Sequence, residues 1–204
     1  MLRHSGNVFV LSAPSGTGKS TLAKQLVERV PDLDFSVSFT TRRPRPGETH
    51  GKDYFFVDDA TFDAMVAANG FVEWVKVYDR RYGTGKQWIQ EQLKSGRDIL
   101  LDIESQGARM VHRAIPDAVM IFLLPPSAAE LSARLRGRGD ESEDQVHIRL
   151  DYARHELSQF AGYDYLVVND TVEQAYRKLE SIIIATRSRR ERMGVAAQKI
   201  LESF

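Results

Sequence analysis

The chain has 204 residues, with 28 Lys and Arg against 28 Asp and Glu, and no cysteine. That length can bury a full core and favours one domain with an insertion over two independent ones, while zero formal charge removes a bulk basic footprint for nucleic acid. The lack of cysteine excludes disulfides, thiolate zinc sites and a cysteine nucleophile; with no apolar run of bilayer length and no signal segment, a cytoplasmic enzyme without membrane contact is expected.

In chain order, the apolar run 8–11 predicts a strand, and a helical period carried by Leu22, Leu26, Val27 and Val30 runs from about residue 19 until Pro31 breaks it. Between them lie Ala13, Pro14, Ser15, Gly16, Thr17, Gly18, Lys19, Ser20 and Thr21. Closely spaced glycines between a strand and a helix let backbone N–H groups and the helix N-terminus converge on phosphate oxygens. Lys19 can then reach the outer phosphates and Ser20 can ligate Mg2+. Ala13 replaces the first glycine of the usual pattern, which is tolerable if its φ stays negative.

Residues 34–39 alternate and predict a short strand. The basic, proline-stiffened loop 41–48 follows; its arginines read either as a solvated surface or as guanidinium forks held for a phosphate. A strand over 52–57, a helix over 60–68 and a strand over 71–77 come next, the last placing Glu73 in apolar company where a carboxylate must be paired or used. Residues 82–85 predict a turn and 86–94 a helix. The span 38–96 interrupts the strand–helix alternation and reads as an insertion that carries a substrate.

The alternation resumes with the apolar strand 98–104, which ends in acids. Asp102 is placed to hold Mg2+, often through water in such folds; the alternative is that Asp102 or Glu104 caps the helix 105–114. A buried strand over 118–124 and a helix over 127–136 lead into a charged, glycine-flanked loop and a polar helix bearing Arg149. Such loops can close over a nucleotide, and equally their arginines can be simply solvated. Residues 165–170 predict the last parallel strand and 171–187 a long helix, with 188–192 a solvated helical face.

The ordered set APSGTGKST, SFTTRRPRPGE, GKDYFFV, FVEW, RYGTG, LLDIESQG, RLRGRG and VVND resembles guanylate kinases over nearly the whole chain. The resemblance implies an α/β P-loop nucleoside monophosphate kinase fold: a parallel core sheet flanked by helices, a mixed α+β GMP-binding insertion and a small lid. It implies a single domain over 1–204, with core 7–37 and 97–190, insertion 38–96 and lid about 137–160. Its activity is transfer of the ATP γ-phosphoryl group to GMP, and to dGMP, with Mg2+, in purine nucleotide metabolism. Matched position by position, the GMP phosphate falls to Arg42, Arg45, Tyr54 and Tyr82, and the guanine edge to Ser38, Glu73, Thr84 and Glu104. The loop 13–21 and Asn169 bind ATP, Ser20 and Asp102 serve the metal, and Lys19, Arg42, Arg138 and Arg149 form the catalytic set. The guanine assignment agrees with independent chemistry, because guanine offers N1–H and N2–H2 as adjacent donors to one carboxylate while adenine would face it with an acceptor. Two positions depart from the family pattern: Glu104 stands where aspartate is usual, and Arg81 where an aromatic is common.

Two other classes of function remain open at this stage. One is a binding module that keeps the fold without turnover, against which the complete Gly18, Lys19 and Ser20 loop argues. The other is a P-loop kinase for a different acceptor, which would have no use for Ser38, Glu73 and Thr84 together.

Overall fold

The computed structural model describes residues 6–77, 79–137 and 143–204. The chain begins with β1 (Val8–Ser12), buried along its whole length, followed by α1 (Lys19–Arg29) and β2 (Leu33–Phe35). Next come the short β3 (Phe39–Thr40) and β4 (Phe55–Phe56), then α2 (Asp59–Ala67), β5 (Phe71–Val77), β6 (Arg80–Gly85) and α3 (Lys86–Lys94). The second half is a regular alternation: β7 (Asp98–Asp102), α4 (Ser105–Ala114), β8 (Val119–Leu124), α5 (Ala128–Arg136), α6 (Glu143–Leu157), β9 (Tyr165–Val168), α7 (Val172–Arg187) and α8 (Arg190–Leu201).

Five parallel strands in the order β2-β7-β1-β8-β9 make the core sheet. Their unbroken apolar character follows from helices covering both faces. On one face Phe9, Leu11 and Leu100 pack with Leu22 and Leu26 of α1 and Leu179 and Ile183 of α7. On the other, Val8, Val10 and Ile99 pack with Ile89 of α3 and Val111 of α4. Side-chain caps fix where several helices start: the side chains of Asp58, Ser127 and Thr171 accept from the backbone N–H groups of Thr61, Glu130 and Gln174. Each such cap contributes about 1 kcal/mol.

A second, four-stranded sheet in the order β4-β3-β6-β5 is built wholly from the inserted segment. It corrects three expectations. The alternating run 34–39 is two strands in different sheets, because Leu33–Phe35 pairs with β7 of the core while Phe39 and Thr40 pair with Gly83 and Tyr82. The segment 82–85 is no turn: it is the end of β6, paired on one side with β5 and on the other with β3. Gly83 is required there by packing, since a Cβ would meet the Phe71 ring at 2.9 Å and Trp74 Cβ at 3.1 Å. Of the strand expected over 52–57 only Phe55–Phe56 forms. The C-terminal basic run likewise divides, with α7 ending before Ser188 and α8 beginning after Arg189.

Candidate active site

The carboxyl end of the central strand β1 opens directly into residues 13–18, and α1 begins at Lys19, so the loop stands where a parallel sheet presents its ligands. Gly16 and Gly18 have φ of 87° and 91°, a region costly for any residue with a Cβ. Ala13 is not among the positive-φ residues, so its side chain costs the turn nothing. The amide of Asn169, beyond the end of β9, donates 2.7 Å to the Thr17 carbonyl and braces the loop from behind. Ala13, Pro14, Ser15, Gly16, Gly18 and Lys19 through Thr21 border a cleft of about 240 Å3, whereas Thr17 is fully buried.

Parallel pairing brings the acid into place. Leu11 stands opposite Asp102, so the end of β7 lies beside the loop. The Lys19 ammonium is paired with the Asp102 carboxylate and donates 3.3 Å to the Ile103 carbonyl, and the Ser20 hydroxyl donates 3.3 Å to Asp102 Oδ2. A hydroxyl and a carboxylate at this separation are the hard oxygen donors that suit Mg2+. Glu104 occupies the N-cap position of α4 but makes no side-chain cap bond; its carboxylate is exposed and accepts from Tyr152 at 3.5 Å.

A second cleft, about 350 Å3, continues from the first and shares Lys19, Ser20 and Glu104 with it. Ser38, Tyr54, Glu73, Tyr82, Asp102 and Glu104 line it. A register shift between Phe71 and Glu73 sets Glu73 directly opposite Thr84, so that both side chains emerge on one face of the sheet. Thr84 donates to Glu73 Oε1 at 2.6 Å, and the pair is buried at 4% and 0% exposure. Burying a carboxylate costs several kcal/mol, more than the about 1.5–3 kcal/mol returned by one hydrogen bond to a charged group, so burial wins and the Glu73 carboxyl is pushed above its ordinary range. Gly107 makes room for it: a Cβ there would lie 3.0 Å from Glu73 Oε2.

Behind the lining residue Tyr54, and not itself part of the lining, Arg42 lies over the rings of Tyr54 and Phe56, at 5.3 and 5.7 Å from their centroids, and is gripped by Glu48 through bonds of 2.9 and 2.8 Å. Glu48 also accepts 2.7 Å from the Arg45 N–H, and these contacts hold its carboxyl down at about 2. Burial raises the Tyr54 hydroxyl, which keeps it a proton donor at neutral pH. The Arg45 side chain is exposed and does not line the cleft. Arg149, on α6, reaches the loop by donating 2.7 Å to Ser15 Oγ, while Arg138 lies outside the described residues. Sequence reasoning missed Glu48, Ser105, Gly107 and Glu156. Only Glu48 carried a signal, as the lone acid in an arginine loop; the other three depend on which elements meet.

Against known proteins, the profile of the guanylate kinase family matches residues 5–186. This chain belongs to the guanylate kinase family. The guanylate kinase of Nitrobacter hamburgensis is 48% identical over 188 residues, covering 92% of this chain and 86% of that one. That of Syntrophotalea carbinolica is 45% identical over 201 residues, covering 98% and 96%. The crystal structure of the guanylate kinase from Anaplasma phagocytophilum superposes with a TM-score of 0.76 at 32% identity over 94% of this chain and 92% of that one. The family's α/β fold, with its parallel core sheet and added mixed sheet, is therefore the fold seen here. At the departure noted in the sequence, Arg81 bonds Asp59 at 2.6 Å, pairs with Asp63 and covers the Phe62 ring at 4.8 Å, so a cation fills the place of an aromatic and ties α2 to β6.

Proposed function

We infer that this chain is an ATP-dependent kinase that phosphorylates GMP to GDP. The observation that carries the reading is the buried Glu73, held by Thr84, lining a cleft that opens onto Lys19 and Ser20 of the phosphate loop. One end of a continuous groove suits a triphosphate and the other a base with two adjacent donors. A pure binding module has no need of the loop, and an acceptor without a base has no need of the pair.

In this reading Glu73, held in place by the Thr84 hydroxyl, accepts from guanine N1–H and N2–H2, and the Ser38 hydroxyl donates to O6. Adenine would leave the desolvated carboxylate facing an acceptor, a mismatch of about 1–3 kcal/mol or more. Arg42, with Arg45 swinging in from its exposed position, and the hydroxyls of Tyr54 and Tyr82 take the GMP phosphate; Glu48 keeps the Arg42 fork oriented. Residues 13–21 hold the ATP phosphates, with Asn169 bracing the loop near the adenine. Lys19, Arg149 and Arg138 neutralise charge developing on the transferred group, which passes through a loose transition state that needs positioning more than covalent help. Ser20 and Asp102 have the donor chemistry to hold Mg2+, which when bound supplies further positive charge to the phosphates. The segment 38–96 serves as the GMP-binding unit of a single domain, anchored to the core by Ile89 of α3, and about 137–160 as the lid.

Coupled ADP release measured in parallel with GMP, dGMP, AMP, CMP and UMP tests this. Turnover confined to GMP and dGMP is expected; no GMP turnover, or equal rates with AMP, overturns the reading.

A further inference from the structure

The side chains of Arg149, Tyr152 and Glu156 recur on one face of α6, three and seven residues apart; Tyr152 and Glu156 line the cleft beside the phosphate loop, and Arg149 bonds to that loop. Arg149 meets the phosphate loop at Ser15, Tyr152 meets Glu104, and Glu156 accepts from Ser105 Oγ at 2.9 Å. The last contact is unlike the other two because it is buried, at the floor of the cleft beside the loop: Ser105 is 1% and Glu156 6% exposed. Ser105 opens α4, and two residues later Gly107 lies against the carboxylate of Glu73. The first turn of α4 thus touches the guanine-side carboxylate on one flank and the helix that carries Arg149 on the other.

A buried carboxylate cannot lose its donor cheaply, and a helical turn does not deform within itself. Displacement of α6 must therefore carry Ser105 with it, and a shift of the α4 terminus must carry α6.

We propose that Ser105 and Glu156 are positioning residues that couple the two substrate sites, so that ATP bound under α6 and GMP bound against the α4 terminus each strengthen the other. The coupling rests on the two-substrate reading above and is reciprocal by thermodynamic necessity. Neither residue needs to touch a substrate for it.

Calorimetry on the full chain separates the two ideas. It measures the Kd of GMP alone, of the β,γ-imido analogue of ATP with Mg2+ alone, and of GMP at saturating analogue. The wild-type protein is expected to bind GMP at least about fivefold tighter in the presence of the analogue. Ser105→Ala and Glu156→Ala are each expected to bring that factor below about twofold, with no further loss when combined. For Ser105→Ala, which lines neither cleft, both single-substrate Kd values should stay near wild type, while the melting temperature falls by a few degrees because a buried carboxylate has lost its donor. Glu156→Gln, which keeps an acceptor oxygen for Ser105, should retain the coupling. A wild-type factor near one, variants that keep the wild-type factor, or a Ser105→Ala variant that weakens each substrate alone to the same extent overturns the proposal. Failure of the wild-type chain to bind GMP at all would instead overturn the functional reading.

Discussion

The proposed role of Glu73 sets its effect on the empty protein against its effect on GMP binding. Its folded-state pKa is raised, so its protonation favours the native state, and that contribution is present below the unfolded pKa and lost as pH rises through the folded value. In the role proposed for Glu73, guanine needs the carboxylate, so kcat/KM for GMP should fall as the pH drops through the raised pKa. A pH–rate series on wild type and Glu73→Gln checks this. The acid limb that differs between the two belongs to Glu73, since titration of the GMP phosphate is common to both. At neutral pH Glu73→Gln should weaken GMP by about 10–100-fold, corresponding to about 1–3 kcal/mol, and leave ATP affinity unchanged. Equal loss for both substrates, read by calorimetry, would make the residue structural. On the donor side, Lys19→Ala should lower kcat by about two to three orders of magnitude with the circular dichroism spectrum retained. Steady-state activity near wild type would contradict the role given to the loop.

The phosphate loop is an element whose shape is over-determined. Gly18 combines a φ of 91° with an approach in which a Cβ would sit 2.8 Å from Asn169 Nδ2, the same amide that braces Thr17. Gly18→Ala should therefore cost about 1–2 kcal/mol in backbone strain and displace the brace. Thermal melting should show a drop of about 2–8 °C together with weakened ATP binding. This element was fully legible in the sequence because its requirements are local: glycines at fixed spacing between a strand and a helix. The inserted sheet was less so. Residues 82–85 look like a turn because Tyr-Gly-Thr-Gly has turn composition. What makes them a strand is the pairing with residues 71–77 and 39–40 and the ring of Phe71 lying on Gly83, none of which a local pattern contains. The same reason hid Ser105 and Glu156. Each is unremarkable on its own helix, and their meeting is a property of how α4 and α6 pack. Glu73, in contrast, stood out from sequence alone, since a carboxylate between Val72 and Trp74 already demands an explanation.

At the scale of the whole molecule, distant segments of the chain meet at Asp98. This buried carboxylate accepts from the Asn7 N–H and side-chain amide at 2.6 and 2.8 Å and from Arg187 Nε at 2.8 Å, and Arg187 reaches on to the Pro31 carbonyl at 2.7 Å. It fastens the start of β7 to the segment before β1 and to the end of α7. Asp98→Ala leaves the buried Asn7 amide without its partner, and should reduce unfolding free energy by about 3 kcal/mol in urea titrations without altering the substrate preference. A change below about 1 kcal/mol would show that the contact is peripheral.

The central place of β1 also governs the order of events during synthesis. Its partners are β7 and β8, whose residues lie roughly 90 and 110 positions later in the chain. At about 5–20 residues per second, the apolar strand that leads into the phosphate loop waits roughly 6–23 seconds for the second of them to be made. Until then Val8, Phe9, Val10 and Leu11 have at most one of their two strand partners, so the earliest part of the catalytic centre to be translated stays incomplete until more than half of the chain is made.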